Sequence, residues 1–62
     1  MIEQLLNEIW RVSEALLTDG TLQNERGNAA AGLRARKASL ELERLAKAFR
    51  KASIEASKSK RQ

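Results

Sequence analysis

Eight cations are the residues in this sequence best placed to do chemistry. Arg36, Lys37, Arg44, Lys47, Arg50, Lys51, Lys58 and Arg61 fall on one side of a helical wheel, and Glu43 is the only acid among them. Such a stripe binds phosphates through charge and counterion release, without reading bases. The simpler reading is a solvated face, with Glu43 pairing with Lys47 and Lys51 with Glu55 along the helix. No aromatic interleaves the stripe, which disfavours stacking of single-stranded bases.

Other chemistry is poorly supported. The chain has no His, Cys or Tyr, so its serines lack a base. There is no glycine-rich phosphate loop. Glu41 and Glu43 lie on different helix faces and cannot act as a pair. A few surface carboxylates make a weak metal site, and the absence of Cys excludes disulfides. The expectation is no enzyme, no cofactor, no metal and no small-molecule substrate.

The element that must present the stripe is one long helix, about residues 28–58. Ala31, Ala35, Ala38, Leu42, Leu45, Phe49, Ala52 and Ala56 alternate spacings of four and three. This is an apolar seam with a period of about 3.5, opposite the cations. Gly27 can end the preceding turn, and Asn28 is a favoured N-cap. A first helix is expected over about residues 2–18. Its apolar arc holds Ile2, Leu5, Leu6, Ile9, Trp10, Val12, Leu16 and Leu17, with Ser13 among them. That arc spans roughly 160°, wider than a two-helix seam needs. Asp19-Gly20-Thr21 is read as a break within a connector of residues 19–27. The alternative is a single helix running through Gly20 to Arg26. Residues 59–62 read as a basic, frayed tail.

These elements predict an all-α antiparallel hairpin, one domain over residues 1–58, assembling as a dimeric or higher helical bundle. Its core is expected to hold Ile2, Leu5, Ile9, Val12, Leu16, Leu42, Leu45 and Phe49. A chain of 62 residues buries little as a monomer, and the surplus apolar arc asks for a second hairpin. Leu33, Leu40 and Ile54 lie on the outer, basic face and are read as a second packing surface between hairpins. Trp10 and Phe49, the only aromatics, are assigned to packing.

Charge is divided along the chain. Residues 1–25 hold one Arg against five acids, net −4, and residues 26–62 hold eleven Lys or Arg against three, net +8. The second half therefore suits a polyanion. Met1-Ile2-Glu3 resembles neither a secretory leader nor a membrane span, and the acidic polar face of the first helix disfavours an anionic membrane surface. The expected location is cytoplasmic.

From Glu25 to Lys58 the chain resembles the N-terminal helical region of the bacterial histone H1-like proteins first known from chlamydiae. The matching elements are Glu25, Gly27-Asn28, Ala30-Ala31, Arg34, Arg36, Ser39, Leu42-Glu43, Ala46-Lys47, Arg50-Lys51 and Ser53-Ile54, with an aromatic expected at Phe49. The resemblance implies nucleoid association, binding of double-stranded DNA with little sequence preference, and chromosome compaction. It carries over cations at Arg34, Arg36, Lys47, Arg50 and Lys51, with Arg26 and Arg44 as like-charge replacements. Members of that family continue into a long Lys/Ala/Pro-rich cationic tail. Here the sequence stops at Gln62, as a tailless homologue or a piece cut at the domain boundary.

The residues and the resemblance together predict a homodimeric, histone-like protein that contacts DNA phosphates. The expected contacts are Arg26, Arg34, Arg36, Lys37, Arg44, Lys47, Arg50, Lys51, Lys58, Lys60 and Arg61. The competing expectation is a protein–protein interaction or oligomerisation module that does not bind DNA.

Overall fold

The computed structural model describes residues 1–60, with side chains as far as Lys58. It holds two helices, α1 (Ile2–Arg26) and α2 (Ala29–Lys60), packed against each other as an antiparallel hairpin 53 Å long. No strand is present among the described residues.

Two residues make the turn. Gly27 adopts the left-handed conformation (φ 63°, ψ 27°), and its N–H donates to the Gln23 carbonyl at 2.9 Å. This is a conformation a residue with a Cβ adopts at a cost. Asn28 then caps α2: the Ala31 N–H donates to Asn28 Oδ1 at 3.0 Å, satisfying a donor the helix itself cannot.

The structure differs from the sequence reading at Gly20. α1 does not break at Asp19-Gly20-Thr21; it continues to Arg26, so residues 19–26 are helix and not connector. Gly20 keeps a negative φ. A single internal glycine costs about 1 kcal/mol, less than ending one helix and nucleating another. The seam of α1 also continues. Ile2, Leu5, Ile9, Val12, Leu16, Asp19 and Gln23 alternate spacings of three and four, so the last two seam positions are polar but face α2 all the same.

Both polar residues are accommodated by α2. Arg34 donates to Asp19 Oδ1 through Nη2 at 3.0 Å and Nε at 3.2 Å. Gln23 lies across Gly32, where an added Cβ would stand 2.5 Å from the Gln23 amide group. The helices thus approach closely near the turn, over Ala31, Gly32 and Ala35, all buried. Further from the turn, larger side chains fill the seam. Leu45 is fully buried there, while Ile2, Leu5, Ile9, Val12, Leu16, Leu42 and Phe49 are half-buried. The hairpin leaves the rest of the α1 apolar arc outside: Leu6, Trp10 and Leu17 are 49%, 64% and 69% exposed.

Candidate nucleic-acid interface

Packing of the α2 seam against α1 turns the opposite side of α2 to solvent, and the cations lie there. Lys37, Arg44, Lys51 and Lys58 recur every seventh residue and are exposed. They form a line along one shoulder of α2, stepping about 10.5 Å at each repeat. Arg36, Glu43 and Arg50 occupy the other shoulder at the same interval. Between the shoulders runs an outer line of Leu33, Leu40, Lys47 and Ile54, also seven apart and all exposed.

The expected contacts are not equally free. The Arg34 guanidinium is held by Asp19. Arg44 pairs with Glu41, its Nε donating to Oε1 at 3.3 Å and its Nη2 meeting Oε2. That hydrogen bond, with the Glu41 charge behind it, raises the Arg44 pKa, and the Glu8 charge on α1 adds a smaller push in the same direction. The reciprocal hydrogen bond holds the Glu41 carboxyl below the ordinary carboxylate range. The pairs expected along α2, Glu43 with Lys47 and Lys51 with Glu55, are not among the ion pairs of the described residues. Exposed lysines gain little from holding such a geometry.

Arg26, Arg36, Lys37, Lys47, Arg50, Lys51 and Lys58 are exposed and have no ion-pair partner among the described residues. Arg26 stands apart, in the last turn of α1. The other six surround Lys47 or continue the shoulder lines toward the C-terminal end. The side chain of Lys60 and all of Arg61 lie outside the described residues. No group of three or more His, Cys, Asp or Glu suited to a metal ion occurs among the described residues.

The family described as histone H1-like protein Hc1 matches residues 3–59. The chain belongs to that family. The match includes α1 as well as α2, so it extends beyond the Glu25–Lys58 stretch that carries the resemblance in sequence. Histone H1-like proteins are structural DNA-binding proteins, not enzymes, and Hc1 membership points in general to a DNA-binding protein of the nucleoid. No curated relative and no solved structure matches the chain significantly. No described helix of this Hc1-family chain is long and apolar enough to cross a membrane.

Sequence reading missed Asp19 and Gln23 as contacts between the helices. The signal was present: the spacing of three and four persists through them, and only their polarity hid it.

Proposed function

We propose that this Hc1-family chain binds double-stranded DNA through backbone phosphates with the outer face of α2, as a homodimer that compacts or bridges DNA in the bacterial cytoplasm. One observation carries this reading. Arg36, Lys37, Lys47, Arg50, Lys51 and Lys58 are exposed cations without acid partners among the described residues, along the outer line and the two shoulders of α2. Cations already free of acids neutralise phosphates without first breaking an internal pair. A dimer offers two such faces, which suits bridging of two duplex segments.

The test is a mobility shift on a random-sequence duplex across a salt series. Six phosphate contacts give a log–log slope of roughly −5. A slope near zero overturns the phosphate mechanism. The double variant Lys37→Glu, Lys51→Glu should abolish binding while leaving helicity intact.

The exposed Leu33, Leu40 and Ile54 favour a second reading, in which the same face docks an acidic protein and DNA binding is absent. Retention of DNA binding by a Leu40→Ser variant, with loss in the charge-reversed one, separates the two readings in favour of DNA.

A further inference from the structure

The hairpin has two flanks, and they differ in chemistry. On one flank, Arg34 meets Asp19, the Glu8 charge reaches Arg44, and a groove is lined by Met1, Glu8, Lys51 and Glu55. That flank is charged. On α1 the other flank carries Leu6, Trp10, Ser13, Leu17 and Gly20, alternating spacings of four and three without a charge between residues 6 and 20; Glu3 is the next position outward. On α2 the same flank carries Ser39, Ala46 and Ser53, one small residue every seventh position, continuing the line of Gly32, which Gln23 of the same chain already covers. The Ser39 hydroxyl donates to the Arg36 carbonyl at 2.7 Å, so its polarity is satisfied inside its own helix. Large apolar side chains thus stand on one helix of the flank and small residues on the other.

We infer that this uncharged flank is where a second copy of the chain docks, with α1 of each copy lying over α2 of the other. The inference rests on the self-association in the proposed function and specifies its surface.

The chain exposes 5111 Å², against about 4000 Å² for a compact monomer of its mass. The excess, about 1100 Å², reflects the elongated 53 × 14 × 13 Å shape, which leaves Leu6, Trp10 and Leu17 without a neighbour.

Register and charge decide the orientation. Within the hairpin, Asp19 is level with Arg34 and Gln23 with Gly32. A two-fold axis along the hairpin keeps that register between copies. It brings Trp10 level with Glu43 to Leu45 of the second copy and Leu17 level with its Arg36 to Ala38, one to three residues from Ala46 and Ser39, so that the large side chains lie within a turn of the small ones. The other face-to-face arrangement sets α1 against α1, large against large, and leaves the small residues facing a gap. The charge split of −4 over residues 1–25 and +8 over residues 26–62 also favours α1 over α2.

The outer line of α2 is a poorer docking surface. Lys47 interrupts it, and Arg36, Lys37, Arg50 and Lys51 border it, so docking there strips water from five cations. Docking on the uncharged flank leaves the outer line and the Lys37-to-Lys58 shoulder of α2 free in both copies, with Arg36, Glu43 and Arg50 at the rim.

Trp10 is the only tryptophan and tyrosine is absent, so intrinsic fluorescence reports this flank directly. The experiment is done without DNA, which keeps it independent of the phosphate mechanism. Wild-type protein should scatter as two chains, with Trp10 emission shifted to shorter wavelength, and dilution should reverse both. Leu17→Glu should give single chains with solvent-like emission, and Leu40→Glu should remain paired. A wild-type chain that is monomeric at every concentration overturns the inference, as does loss of pairing in Leu40→Glu with retention in Leu17→Glu.

Cross-linking covers the case in which Leu17→Glu does not fold. The native chain has no cysteine, so Leu17→Cys and Ser39→Cys chains can be mixed and oxidised. A preferred mixed disulfide supports α1 over α2. Preferred self-linking of Leu17→Cys overturns it.

Discussion

Asp19 and Arg34, fifteen residues apart, close the turn end of the hairpin: Oδ1 of the carboxylate accepts from both Nη2 and Nε of the guanidinium. The Asp19 side chain is 16% exposed and that of Arg34 55%, so the pair sits at the edge of the seam, partly screened by water. Arg34→Ala should cost no more than about 1 kcal/mol of stability, read from thermal unfolding at fixed protein concentration. It should weaken DNA binding less than Lys51→Ala does, because this guanidinium is already committed to Asp19. Equal losses in the two variants would mean that Arg34 leaves Asp19 to meet phosphate.

The two helical glycines should respond differently to alanine. A Cβ on Gly20 meets nothing within 4 Å, so Gly20→Ala should stabilise by about 0.5–1 kcal/mol through helix propensity alone. At Gly32 the Gln23 side chain must swing aside, so Gly32→Ala should gain less. Denaturant midpoints measured on both variants rank them, and a larger gain at Gly32 contradicts the packing of Gln23.

Leu45 is the largest side chain buried completely in the hairpin. Leu45→Ala should cost about 2–5 kcal/mol, and Leu45→Asp should abolish helicity, because an unpaired charge would enter the seam. Circular dichroism checks both. A helical Leu45→Asp chain would show that the core lies elsewhere.

Single replacements on the outer face should act through salt. Lys37→Ala, Lys47→Ala and Lys51→Ala should each reduce the log–log slope by about one contact, with no change in preference among duplex sequences. A change in sequence preference at any of these sites would point to base contact.

Glu41 should matter only through Arg44. The hydrogen bond from Arg44 lowers the Glu41 pKa in the folded state. The small stabilisation from this exposed pair is therefore present above the unfolded value, about pH 4.3, and is lost as pH falls through the lower folded value. At neutral pH, Glu41→Gln removes the acid and frees Arg44, so DNA binding should tighten and the salt slope steepen. Unchanged binding would place Arg44 outside the footprint.

Much of this protein is determined by local rules that a sequence displays. The period of about 3.5 from Ala31 to Ala56 sets the buried side of α2, and the cations, read on the same wheel, must face away from it. Gly27-Asn28 ends one helix and starts the next through their own backbone and side-chain chemistry. The ordered elements from Glu25 to Lys58 are enough to carry the family resemblance. Tertiary structure decides what depends on a neighbour. Only the presence of α2 shows that α1 runs through Gly20, because Asp19 and Gln23 look like surface residues until Arg34 and Gly32 lie opposite them. Only packing separates the cations that acids already hold, Arg34 and Arg44, from those left free. It also sorts the broad apolar arc of α1 into a seam against α2 and an exposed flank of Leu6, Trp10 and Leu17, since a helical wheel gives direction but not which directions are occupied.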